Sequence, residues 1–86
     1  MNDARSRLRE ATLGDETIFA PLILDPLAGL LAQEFGFKAG YLSGGALGFQ
    51  YAVSEALLTT TEIADVARRI TSRCELPLIV DGGVGF

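Results

Sequence analysis

Three short stretches of the chain carry residue types that can do chemistry. Ser43-Gly44-Gly45 offers one hydroxyl and two backbone amides with no Cβ in the way, so a carboxylate or phosphonate oxygen can approach closely. The same three residues also suit a tight strand-to-loop turn, and neither the P-loop nor the dinucleotide glycine pattern is present. Asp81 follows the apolar run Pro77 to Val80 directly. A carboxylate there suits a hard cation such as Mg²⁺, which takes oxygen ligands and keeps several waters; it equally suits an aspartate bonding its own turn ahead of Gly82. Asp25, ahead of Pro26, reads first as a helix cap and only second as a catalytic acid.

Other reactive residue types are less promising. The chain holds one cysteine and no histidine, so Cys74 has no Cys-His partner in these residues and is expected to be a small buried side chain. Arg68, Arg69 and Arg73 fall on or near the last turns of a helix, where positive charge complements the dipole; a solvated face is expected.

The elements that must position these groups follow from periodicity. Asp3 to Leu13 reads as a short helix with Gly14 as its stop. The nearly continuous apolar run Ile18 to Leu24 reads as a parallel strand covered on both faces, with Pro21 placing it early or irregularly in the sheet. Asp25-Pro26 opens a helix of about ten residues, with Leu27, Leu30, Leu31 and Phe35 as its inward stripe and Gly36 as its stop. Ala39 to Ser43 reads as a second strand. The stretch from Ala46 to Leu58 reads as loop with one helical turn at most. Thr59-x-x-Glu62 has capping-box spacing, and Ile63, Val66, Ala67 and Ile70 continue it as a helix. Leu76 to Asp81 is a third buried strand, running into Gly82-Gly83-Val84-Gly85.

Repeated strand-helix-strand units require long crossovers, hence a parallel sheet with right-handed connections. In such sheets ligands gather at the carboxyl ends of strands. Here those ends are Leu24-Asp25, Tyr41 to Gly45, and Val80 to Gly83. The last element stops directly before Gly85-Phe86 with no helix to cover it, so residues 1–86 are expected to be the incomplete N-terminal part of a single larger domain.

Composition sets the outer limits. The 86 residues are 49% hydrophobic and 21% charged, a globular rather than disordered balance. The apolar runs are far shorter than the roughly 18 to 20 residues that span a bilayer, so no membrane partner is expected. A net charge of −4 argues against nucleic acid, which requires a basic field. One cysteine and no secretory leader point to the cytoplasm.

Taken together, Asp25-Pro26-Leu27-Ala28, Glu34 to Ala39, Tyr41-Leu42-Ser43-Gly44-Gly45, Thr59-x-x-Glu62 and Leu76 to Asp81 resemble the phosphoenolpyruvate mutase and isocitrate lyase superfamily. The match runs over nearly the whole chain. It is nearest the short lyase branch of methylisocitrate lyase, oxaloacetate decarboxylase and carboxyphosphonoenolpyruvate phosphonomutase. The resemblance implies an α/β fold comprising about three βα units of a (β/α)8 TIM-type barrel with parallel strands, about 250 residues when whole. It implies a Mg²⁺-dependent carbon-carbon lyase or decarboxylase, tetrameric, acting on a 2-oxo or 2-hydroxy carboxylate through an enolate-like intermediate. The alternatives it leaves are a phosphonomutase and a non-catalytic or truncated member.

By the same resemblance, Tyr41, Ser43, Gly44 and Gly45 hold the substrate carboxylate or phosphonate, and Asp81 is the first acid of an Asp-x-Asp metal motif. The second acid of that motif falls on Gly83, and another expected acid falls on Ser54, with Glu55 beside it. The family's lysine-cysteine-glycine loop and later arginine and glutamates fall beyond Phe86. Catalytic residues are expected there, and residues 1–86 alone are expected to be inactive.

Overall fold

A computed structural model describes residues 3–83. Val84 and Gly85, read as the end of the last glycine turn, lie outside the described residues, as does Phe86. The elements are α1 (Ala4–Leu13), α2 (Pro26–Glu34), β1 (Gly40–Leu42), α3 (Gly44–Tyr51), a 3-10 turn (Glu55–Leu57), α4 (Thr60–Thr71) and β2 (Leu78–Val80).

Each helix start has a local cause. Asp3, Asp25, Ser43 and Thr59 stand at the N-caps in extended backbone, and each side chain accepts a hydrogen bond from an amide three residues on. At α4 the box closes in both directions: the Glu62 amide donates to Thr59 Oγ1 at 3.1 Å, and the Thr59 amide donates to Glu62 Oε1 at 2.9 Å. α2 ends in a paired stop in which the Gly36 amide donates to the Gln33 carbonyl and the Phe37 amide to that of Ala32. That closure needs Gly36 at φ 86°, a backbone conformation glycine adopts without strain. Gly14 also ends its helix, but in extended backbone.

The strands are parallel. Gly40, Tyr41 and Leu42 pair with Leu78, Ile79 and Val80. The 18–24 segment joins on the other side of β1 through one parallel bridge, Leu22 to Tyr41; the Ile23 amide donates to the Tyr41 carbonyl and the Tyr41 amide to that of Pro21. This corrects the expectation of a full strand there. Pro21 has no amide to extend the ladder, so pairing is confined to its immediate surroundings. Strand order therefore follows chain order, with α2 and α4 as the crossovers.

Both helices lie on one face of the sheet, where Ile23 and Leu42 are buried with Leu47, Leu58, Ile63, Val66, Ile70 and Leu76. The opposite face carries Leu22, Tyr41 and Ile79, level with one another by register, and is open, with Leu22 50% exposed. Among the described residues, the expectation that the first and third strands are covered on both faces is therefore corrected: the 18–24 segment buries Ile23 on one face, and β2 has Leu78 half-buried with Ile79 and Val80 exposed.

α2 also departs from its expected orientation. Leu27, Leu30, Leu31 and Phe35 are exposed, and Gly29 and Ala32 are buried. Close approach explains it: a Cβ on Gly29 would lie 3.0 Å from Cys74 Sγ and 3.2 Å from an Ile70 methyl, so α2 meets α4 and the following loop through its small residues. α4 matches expectation, burying Ile63, Val66 and Ile70. Cys74 is buried and donates to the Ile70 carbonyl at 3.4 Å. Arg68 and Arg69 are exposed and pair with Asp65.

Residues 44–57 are more ordered than their composition indicates. α3 runs for eight residues, ends at Ala52 in left-handed backbone, and passes into the 3-10 turn. Gly48 is required by contact rather than by conformation: a Cβ there would stand 2.6 Å from the Val53 carbonyl oxygen. The returning chain thus seats on the helix, a tertiary contact with no periodic trace.

Candidate anion and cation site at the strand ends

Parallel register brings the C-terminal ends of β1 and β2 side by side. The Asp81 amide donates to the Leu42 carbonyl at 3.0 Å, which ties the residue after β2 to the last residue of β1. From there Asp81 turns its carboxylate toward β1 and is held at both oxygens. The Tyr41 hydroxyl donates to Oδ2 at 2.8 Å, and the Gly83 amide donates to Oδ1 at 2.8 Å. These bonds favour the charged form of the acid, so the Asp81 pKa lies below its ordinary value, the Gly83 amide first and the Tyr41 hydroxyl second among the causes. The same bond raises the Tyr41 pKa, because losing the phenolic proton would leave two negative charges in contact.

Both readings of Asp81 thus have a physical basis. It bonds its own turn through the Gly83 amide, and it presents an ionised carboxylate at the strand end.

One residue beyond β1, Ser43 caps α3 by accepting from the Ala46 amide at 3.3 Å. That contact uses a lone pair of the hydroxyl and leaves its proton to donate elsewhere. The Gly44 and Gly45 amides stand in the first turn of α3, ahead of its hydrogen-bond ladder, where helix N-termini carry partial positive charge. Hydroxyl, amides and dipole therefore point to an acceptor of negative charge.

Tyr41, Ser43, Gly44, Gly45 and Asp81 are brought to one edge of the sheet. Asp25 serves as a cap, its side chain accepting from the Ala28 amide at 2.8 Å. Ser54 caps the 3-10 turn through the Ala56 amide. Glu55, next to it, reaches over the glycine turns, with Oε1 2.8 Å from the place a Gly44 Cβ would occupy. Sequence reading named Glu55 only as a neighbour of Ser54, since its reach depends on the turn that lifts it above α3. The Tyr41–Asp81 bond was also not anticipated, although each partner was. Strand pairing one residue earlier, Leu42 with Val80, is the signal that could have found it. Among the described residues, no three His, Cys, Asp or Glu side chains gather as a metal-ligand cluster.

At the opposite ends of the strands, a cleft of about 770 Å³ lies between α1, the end of α2 and the loop before β2. Arg7 of α1 donates to the Glu75 carbonyl at 2.6 Å, and the Glu75 amide donates to Gln33 Oε1 at 2.6 Å. Two of its polar side chains, Arg7 and Gln33, are thus tied to the backbone of Glu75, and a third, Lys38, pairs with Glu16 at 3.6 Å.

Comparisons with known proteins agree with this fold. No protein-family model matches the chain. Oxaloacetate decarboxylase of Paraburkholderia xenovorans is 38% identical over 86 residues, covering 95% of this chain and 28% of that protein. 2-Methylisocitrate lyase of Aeropyrum pernix is 38% identical over 80 residues, covering 92% of this chain and 26% of its own. A crystal structure of phosphonopyruvate hydrolase in complex with oxalate and Mg²⁺ superposes with a TM-score of 0.85 at 31% identity, over 92% of this chain and 28% of that one. The chain therefore spans between a quarter and a third of the length of these relatives.

Proposed function

We propose that the chain, which is similar over nearly its whole length to the N-terminal portion of the (β/α)8 barrels of the phosphoenolpyruvate mutase and isocitrate lyase superfamily, supplies the anion-holding turn and part of the cation site of a carbon-carbon lyase or decarboxylase. The substrate class is a 2-oxo or 2-hydroxy carboxylate. Residues 1–86 form part of one barrel domain in this reading, and the remaining catalytic groups come from the barrel's later strands. The observation that carries it is the placement of the Ser43–Gly45 turn beside the Tyr41–Asp81 pair on adjacent parallel strand ends. The relatives' names, and the oxalate and Mg²⁺ bound by the hydrolase, support the same chemistry.

The donor set fits a Mg²⁺ ion. Asp81 and Glu55 offer only hard carboxylate oxygens, and Gly44 and Gly83 leave space beside them that a Cβ would narrow. Mg²⁺ is commonly held by one or two carboxylates and several waters. When bound, such an ion stabilises negative charge developing on a substrate oxygen. The chain's own residues do the rest. The Ser43 hydroxyl and the Gly44 and Gly45 amides receive the substrate carboxylate and orient it. Tyr41 donates to Asp81 and keeps that carboxylate ionised and aimed.

Calorimetry of oxalate binding with and without Mg²⁺ tests the reading. Metal-dependent binding that is weakened in Asp81→Asn is expected; metal-independent binding, or none, would reject it. A second reading, cleavage or rearrangement of a phosphonate, is favoured by the likeness to phosphonopyruvate hydrolase. Turnover of oxaloacetate or methylisocitrate without turnover of phosphonopyruvate would reject that alternative.

A further inference from the structure

Two acids approach the strand ends, and they arrive in different ways. Asp81 comes from β2 with both oxygens already engaged. Glu55 comes from the 3-10 turn and lays its carboxylate across the glycine turns of both strands. Its Oε1 lies 2.8 Å from where a Gly44 Cβ would stand and 3.7 Å from where a Gly83 Cβ would stand; Oε2 lies 3.7 Å from the corresponding place on Gly45.

A side chain at 44 would collide with Glu55, and one at 83 would touch the same oxygen. The Glu55 carboxylate makes no hydrogen bond or ion pair among the described residues. Glu55 thus stands against the place a side chain at 83 would occupy, next to the glycine whose amide holds Asp81, and against the anion-holding turn.

Resting on the reading above, we infer that Glu55 supplies the second carboxylate of the cation site in place of an acid at position 83. We infer with it that the same charge disfavours an anion at the Ser43–Gly45 turn until a cation is bound. Like charges a few ångström apart repel, and a cation held between Glu55 and Asp81 removes that repulsion. Cation and anion then strengthen each other's binding by the same factor, as linkage requires. Position 83 can be glycine because a neighbouring element already fills its electrostatic role.

The test uses Mg²⁺ and oxalate, each titrated calorimetrically into the protein, with oxalate also titrated in EDTA. In Glu55→Gln, Mg²⁺ affinity is expected to fall at least about tenfold, and oxalate affinity in EDTA to rise at least about threefold. Adding Gly83→Asp to that variant is expected to return most of the Mg²⁺ affinity, since aspartate tolerates the left-handed backbone at 83. Circular dichroism separates these changes from unfolding, which an isosteric change at an exposed residue does not favour. Wild-type affinities retained in Glu55→Gln, or a double variant no better than the single one, would overturn the inference while leaving the proposed function standing. Absence of Mg²⁺-dependent oxalate binding in the wild type would overturn both.

Discussion

At the N-terminal ends of the strands, Arg7 and Gln33 grip the two backbone groups of Glu75 from opposite sides, each at 2.6 Å. At the C-terminal ends, Tyr41, Ser43 and Asp81 bond to one another or to their own turns, while the first amides of α3 and the Glu55 carboxylate stand ahead of any such contact. The first arrangement ties α1, α2 and the loop before β2 into one piece. The second leaves donors and acceptors of both signs facing the same space. A parallel sheet thus separates holding together from binding by strand direction alone, because loops leaving the strands present helix N-termini and loops entering them do not.

Breaking the two ends should therefore have separable effects. Asp81→Asn keeps the shape and removes the charge; Mg²⁺ affinity should fall by about a hundredfold, roughly 2.7 kcal/mol of binding, with thermal stability little changed. Calorimetry with a parallel melting curve checks both halves, and a large loss of stability would contradict the separation. Gly48→Ala should do the reverse at first and then reach the site. Its Cβ would press on the Val53 carbonyl, costing about 1–3 kcal/mol of stability in a denaturant titration. It should also displace Glu55 and weaken cation binding.

Gln33→Ala should cost about 1 kcal/mol by leaving the Glu75 amide without its partner. Mg²⁺ and oxalate binding should not respond to it, and a change in either would mean the two ends are coupled. The smallest effect belongs to Tyr41→Phe. The Asp81 pKa should rise toward its ordinary value of 3.8 yet remain below it, because the Gly83 amide, the larger cause, is untouched. The sign follows for stability: a carboxylate with a lowered native pKa stabilises the fold fully above the ordinary aspartate range, and that contribution disappears as pH falls through the native value. Carboxyl-carbon NMR titration of both proteins measures the shift directly.

Much of this is legible in the sequence alone. The capping box at Thr59, the Asp25-Pro26 start and the Gly36 stop are interactions within four residues of one another, so spacing alone reveals them. The three strand ends and their shared edge follow from chain order and the parallel rule. Less legible were α3, whose glycines conceal it, and α2, whose four large apolar residues point away from the helix it packs on.

Local pattern determined α1, α2, α4 and the two paired strands with their caps and stops, though not α3 or the single bridge at 18–24, and it brought Tyr41, Ser43, Gly44, Gly45 and Asp81 to one edge. Those properties depend on backbone geometry and short-range bonding, which neighbours in the chain control. Tertiary structure alone decided which face of α2 turns inward, since closest packing against Cys74 and Ile70 selects Gly29 and Ala32 over the leucines. It alone paired Tyr41 with Asp81, 40 residues apart. It also placed Glu55 over Gly44 and Gly83, because a carboxylate's reach is set by where the folded chain carries its backbone and not by its distance in sequence.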